Sequence, residues 1–305
     1  MRMLCLTLLG FAPIALAAET FVAVIGGLAG EERFEAGFRG AVSRIAERSR
    51  GLVLDDSNVR VLDGAESTRE AMSALFDALA REARADDQVI VVLVGHGTHD
   101  GTEYKFNIPG PDVTGAELRD WLDAIPAKRQ LVVLTTSASG GALSDLKKER
   151  RIVIVATKSG AERNATIFAD YWVEALSFAA ADTDKNGSID AAEAFGYANE
   201  KVADYYASRD RLATEHARME GEAANTFIVA RLKPREVYED DPKLAALVRK
   251  RAELEDAVER LRVRKSDMEL EIYMRLLQDV LLELAVVEDE IERYESVRTG
   301  SADES

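Results

Sequence analysis

Two short segments carry the side chains best suited to chemistry on a carbonyl group. Gly95-His96-Gly97-Thr98-His99-Asp100-Gly101 follows the apolar run 91–94, and Thr135-Thr136-Ser137-Ala138-Ser139-Gly140-Gly141 follows the apolar run 131–134. Each run has the length and β-branched content of a buried strand, so both segments fall at strand carboxyl ends, where open α/β sheets bind ligands. A glycine directly after His96 leaves the Gly97 amide unobstructed, so an imidazole and an N–H donor can face one substrate carbonyl. Ser137 can complete that arrangement as a nucleophile, provided a base removes its proton during attack.

In order and spacing these blocks resemble the caspase-like fold of clan CD cysteine peptidases, in particular the legumain-like bacterial branch. The match consists of four apolar residues, Gly95 and His96-Gly97, then four apolar residues, Thr135-Thr136 and Ser137-Ala138-Ser139-Gly140. It extends, by strand and helix order, over about residues 20–230. The resemblance implies that His96 holds the catalytic histidine position, Gly97 supplies an oxyanion-hole amide, and Ser137 stands where the family carries its cysteine nucleophile. It also implies a substrate pocket near the segment 158–164, where Glu162 or Arg163 could read a charged side chain. A thiol is partly ionised near neutral pH, whereas a serine hydroxyl is not, so the exchange removes the family's chemistry unless His96 acts as a base. Asp100 and Asp145 are the acids that geometry could place behind His96. The favoured expectation is a non-catalytic homologue that binds a peptide or protein; the alternatives are a peptidase or esterase-type hydrolase with a Ser137/His96 dyad and a structural assembly protein built on a C-terminal coiled coil.

Other readings of the same segments are weaker. The Gly-x-Ser-x-Gly elbow of α/β-hydrolases is absent because Thr135 stands two residues before Ser137. Gly26-Gly27-Leu28-Ala29-Gly30 does not fit the dinucleotide fingerprint and reads as a tight strand-to-helix turn. His96 and His99 have only His216 as a further histidine, so a transition-metal site would have to rely on carboxylates. His99 reads as a solvated loop residue.

A third segment, 182–193, fits the EF-hand loop pattern D-x-[DN]-x-[DN]-G-x5-E without a gap. Oxygen ligands for Ca²⁺ would come from Asp182, Asp184, Asn186, the Ser188 carbonyl and Glu193, with Asp190 acting directly or through water. Gly187 makes the turn and Ile189 packs inward. No second such loop is present in the sequence, which argues for a structural clamp of weak affinity rather than a paired sensor.

The elements that must position these residues follow from periodicity. Five strands are expected at 20–25, 58–62, 88–94, 131–134 and 152–155, alternating with amphipathic helices. Ser67-x-x-Glu70 and Thr114-x-x-Glu117 read as capping boxes opening two of those helices. A last strand is expected at 226–230. The fold class expected is therefore α/β, with a mainly parallel sheet covered by helices on both faces.

Beyond Asp240-Asp241-Pro242 the composition changes. Residues 243–299 contain neither glycine nor proline, and charged residues alternate with Leu247, Leu254, Val258, Leu261, Met268, Ile272, Leu277, Leu281, Leu284, Ile291 and Tyr294. This is the pattern of a helical coiled-coil arm, 235–298, with Ser266-x-x-Glu269 available to turn it into a hairpin. Self-association through residues 243–296 is one expectation for it; residues 299–305 read as a disordered tail.

The chain's 305 residues carry a net charge of −16, with 39 Lys and Arg against 55 Asp and Glu, which excludes the basic footprint of a nucleic-acid binder. The one long apolar run, at 4–16, is followed by Ala15-Leu16-Ala17 and preceded by Arg2, the layout of a secretory leader (1–17) rather than a membrane span. Cleavage there would give a periplasmic or secreted protein and would remove Cys5, the only cysteine. The domain expected after the leader is 18–234.

Overall fold

The sequence of the third strand dictates its place in the structure. Gln88–Val94 (QVIVVLV) has no polar side chain after its first residue, so only a position buried on both faces suits it. In the computed structural model, which describes residues 18–53, 55–232, 241–263, 265 and 268–302, this strand is central. The main elements run β1 (Thr20–Gly26), α1 (Glu32–Arg50), β2 (Val59–Leu62), α2 (Arg69–Glu82) and β3 (Gln88–Val94). Three short strands follow, β4 (Gly97–His99), β5 (Tyr104–Phe106) and β6 (Val113–Thr114), then α3 (Gly115–Ala124), β7 (Arg129–Leu134), α4 (Leu143–Leu146) and β8 (Arg151–Val155). The chain continues through α5 (Phe168–Ala175), β9 (Ser188–Asp190), α6 (Ala191–Ala207), β10 (Arg218–Glu220) and β11 (Ile228–Arg231). Two long helices, α7 (Pro242–Val263) and α8 (Leu270–Ala302), end the described chain.

The main sheet has the order β10-β8-β7-β3-β1-β2, in which the five expected strands are parallel and β10 is antiparallel to β8. Alternate residues separate two cores, as strand periodicity requires. Val22, Val24, Ile90, Val92, Val133 and Ile154 face a core shared with Ile45 of α1, Trp172 of α5 and Val202 of α6. Ala23, Ile25, Val91, Leu93, Val132 and Val153 face a second core with Phe76 of α2, Leu118 of α3 and the β5 rings Tyr104 and Phe106. The sheet thus has helices on both faces. Strand order reverses direction between β1 and β3, which places the switch crevice at the carboxyl end of β3, directly before His96.

Several expectations change. The α2 cap is Thr68, whose hydroxyl accepts from the Ala71 amide, not Ser67; shifting the cap by one residue removes Glu70 from the capping-box position. The Thr114/Glu117 box forms as expected. The last strand, β11, does not extend the main sheet but pairs antiparallel with β9, and the sheet edge is β10, a strand too short and polar to show in a hydrophobic pattern. The β4-β5-β6 sheet was likewise not expected.

The C-terminal pair is an antiparallel helical hairpin. Asp241 accepts a hydrogen bond from Tyr294 at 3.1 Å, Lys250 lies 3.7 Å from Glu283, and Lys265 stacks over Tyr273, so positions rise on one helix as they fall on the other. Leu244, Val248, Leu254, Val287 and Ile291 form its core. α8 continues to Ala302, into the segment expected to be disordered. The leader at 1–17, the boundary at 234/235, the Ser266 cap and the last three tail residues lie outside the described residues. Among the described residues, no helix is long and apolar enough to cross a membrane.

Candidate functional site

Because β3 and β7 are adjacent and parallel, their carboxyl ends bring the histidine and serine segments together. Gly95 turns the chain out of β3 with φ 144°, and a Cβ there would sit 3.3 Å from the Gly27 backbone, so a side chain at this position is disfavoured twice over. His96 then points toward the start of α1. Its ring packs edge-on against Phe34 and Phe38 at centroid distances of 4.8 and 5.0 Å. Burial pushes the imidazole below its ordinary pKa, opposed by a hydrogen bond to the Ala29 backbone and by the Glu31 charge. The protonated ring is thus disfavoured, and the imidazole sits in an aromatic clamp.

Ser137 is 3% exposed, and its hydroxyl is fully engaged with one residue. It accepts from the Gly97 amide at 3.2 Å and donates to the Gly97 carbonyl at 3.0 Å. Only glycine fits opposite it: a Cβ on residue 97 would lie 2.5 Å from the Ser137 carbonyl oxygen and 2.5 Å from the Tyr104 ring. Among the described residues no hydrogen bond joins His96 to Ser137. Neither expected acid stands behind His96. Asp100 accepts from the Thr102 and Glu103 amides and from Lys105, which hold its carboxyl far below the usual range, and Asp145 lies against Gly115.

The rest of the serine segment is tied down as closely. Thr135 donates to the Leu93 carbonyl, Thr136 shares a 2.6 Å hydrogen bond with buried Tyr104, and Ser139 accepts from the Thr157 amide. Ala138 has φ 56°, a left-handed conformation costly for a residue with a Cβ, and its amide donates to the Glu162 carbonyl at 2.7 Å.

Of the two residues expected to read substrate charge, Arg163 is exposed and Glu162 is turned inward but occupied. The Glu162 carboxylate accepts from the Lys158 and His216 amides and meets His216 Nδ1 at 2.5 Å. Burial alone would raise its pKa, but the Lys158 amide and His216 hold it low. His216 carries no sequence signal that could have paired it with a residue 54 positions away. His99 is half-buried and not fully solvated: its ring packs where side chains on Gly141 and Gly160 would stand, a Cβ at either lying 2.4 Å from a ring carbon, and its Nδ1 accepts from the Gly101 amide. Glu215 is a further buried acid that the sequence did not single out. It accepts from the Ile167 and Phe168 amides and so caps α5, where no local side chain does.

The 182–193 loop is turned by its own amides. Asp182 accepts from the Asn186 and Gly187 amides, Asn186 accepts from the Ser188 amide, and Gly187 has φ 83°. Ligand oxygens of Asp182, Asp184 and Glu193 lie within 4.8 Å of one another, a set of hard oxygens suited to Ca²⁺. Asp190 stands apart as the α6 N-cap, in a reciprocal box with Glu193. β9, which contains Ser188, Ile189 and Asp190, pairs antiparallel with β11.

No family model matches the chain, and no curated protein matches it. Among solved structures, caspase-1 from Spodoptera frugiperda is similar at 13% identity with a TM-score of 0.49, covering 75% of this chain and 98% of that one. A protein from Geobacter sulfurreducens is similar at 10% identity with a TM-score of 0.47, covering 72% of this chain and all of its own.

Proposed function

We propose that this chain is an exported, non-catalytic homologue of the caspase-like, legumain-like peptidases, whose crevice binds a peptide or protein segment and whose fold is clamped by calcium at 182–193. The observation that carries the reading is the reciprocal pair of hydrogen bonds between the Ser137 hydroxyl and the Gly97 backbone. A serine nucleophile must hand its proton to a base within about 2.6–3.2 Å. Here that proton goes to a carbonyl, which cannot take it. The amide that would face a developing oxyanion is spent on the same hydroxyl. Freeing Ser137 for attack would break two buried hydrogen bonds, each worth roughly 0.5–1.5 kcal/mol, and would still leave His96 clamped by Phe34 and Phe38.

A crevice that has lost its chemistry keeps its shape. Its position at the reversal of strand order is where α/β sheets take ligands, and Leu28 and Arg163, on the loops after β1 and β8, are exposed to meet one. The calcium reading rests on the convergent carboxylates and on a loop already turned by its own amides. Turnover of fluorogenic peptide and ester substrates tests the non-catalytic reading: wild type and Ser137→Ala give the same background rate, and a wild-type rate clearly above that of the variant overturns it.

A further inference from the structure

The C-terminal hairpin leaves an apolar surface that its own partner helix does not cover. Within 270–286 of α8, Leu270, Ile272, Met274, Leu276, Leu281, Leu282 and Val286 are all exposed, whereas the remainder of the described chain exposes only Leu28, Val61, Phe178 and Leu212 among its large apolar side chains. A helix apolar on more than one face is normally buried on more than one face.

Two seams run along this helix, and the outer one carries three of the seven, Ile272, Leu282 and Val286. The inner seam, Val280, Leu284, Val287, Ile291 and Tyr294, has the alternating four-and-three spacing of a heptad and packs on α7. A second seam with the same spacing, Ile272, Arg275, Asp279, Leu282 and Val286, lies about 120° round the helix at 3.6 residues per turn. Ile272 is 39% exposed, Leu282 58% and Val286 57%. At the middle of this seam stand two opposite charges, and among the described residues neither Arg275 nor Asp279 has an ion-pair partner.

The seam is self-complementary about residue 277. Reversed upon itself, it sets Arg275 opposite Asp279, Ile272 opposite Leu282, and Val286 opposite Met268 just before the helix. We propose that α8 pairs antiparallel with α8 of a second copy of this chain, across a twofold axis near Leu277, with the two Arg275–Asp279 pairs at its centre. A twofold interface requires that each residue meet the complement of what its own symmetry mate meets, and this seam satisfies that requirement at its four positions from Ile272 to Leu282. An unrelated partner would have no reason to match it. The inner heptad seam stays on α7, so the assembly is a four-helix bundle made from two hairpins. This inference does not rest on the proposed function of the crevice.

Sedimentation velocity on the full chain tests it. Wild type sediments at twice the chain mass, whereas Arg275→Glu and Asp279→Arg each shift to the chain mass because like charges meet across the axis. The double variant Arg275→Glu/Asp279→Arg recovers the dimer. Mixing the two single variants also recovers it, because each then supplies the charge the other lacks; an i,i+4 pair within one helix could not be restored by mixing. Circular dichroism of each variant checks that the hairpin remains helical. A wild-type chain that stays monomeric at about 100 µM, single variants that stay dimeric, or a mixture that stays monomeric would each overturn the proposal.

Discussion

Removing one charge from the 182–193 loop should separate calcium binding from folding. The loop is largely arranged before a cation arrives, because Asp182 accepts from the Asn186 and Gly187 amides and Glu193 accepts from the Thr183 and Asp190 amides. Preorganisation of that kind reduces the ordering cost of binding. Extracellular calcium modules bind at about 10⁻⁴–10⁻³ M, so about 10 mM calcium corresponds to some 10–100 times Kd. Linkage then stabilises the native state by about 1.4–2.7 kcal/mol. The loop is joined to the main core through Ile189 and α6, so that stabilisation is felt by the whole domain, as a rise in Tm of about 3–10 °C. Glu193→Gln removes a charge and the bidentate ligand, yet its amide oxygen can still accept from the Asp190 amide and preserve the α6 cap. The assay is scanning calorimetry of both proteins in EDTA, calcium and magnesium. The expected result is a calcium-specific rise in wild type that is lost in Glu193→Gln, whose calcium-free Tm is itself lower because an amide nitrogen cannot accept from Thr183. Equal shifts in both proteins, or no shift in wild type, would refute the reasoning.

Two further predictions concern the crevice. Ser137→Ala leaves the Gly97 amide and carbonyl buried without their partner and should cost about 1–3 kcal/mol in urea denaturation, whereas a solvated serine would cost almost nothing. His96 titrates below its ordinary value because it is desolvated, so the native state takes up its proton later than the unfolded chain. Its contribution to stability is complete above the unfolded value of 6.5 and is lost as pH falls through the depressed native one. His96→Phe should therefore flatten the fall in urea midpoint between about pH 7.5 and 5.5, and an unchanged pH dependence would show that the imidazole is not desolvated.

Strand runs such as QVIVVLV are legible in sequence because burial on both faces leaves no other reading, whereas β2, at the sheet edge, is only partly buried; the order of the strands is seen in the structure. The adjacency of His96-Gly97 and Ser137 followed from that order. Features that depend on residues distant in sequence were not legible: the Glu162–His216 contact, the Glu215 cap of α5 and the seating of His99 on Gly141 and Gly160 each join side chains that no local pattern links. The shift of the α2 cap from Ser67 to Thr68 is a one-residue matter of backbone geometry, which two adjacent hydroxyl residues cannot decide by themselves. The hydrophobic pattern marks β11 as a strand but not its partner, because its pairing is fixed by the loop strand β9 and not by its own hydrophobicity.

The most direct test of the commitment of Ser137 to Gly97 is intact-mass analysis after exposure to a fluorophosphonate, which captures serine hydroxyls that a base has activated. The account predicts an unmodified mass for wild type. A single adduct on wild type that disappears in Ser137→Ala would contradict it.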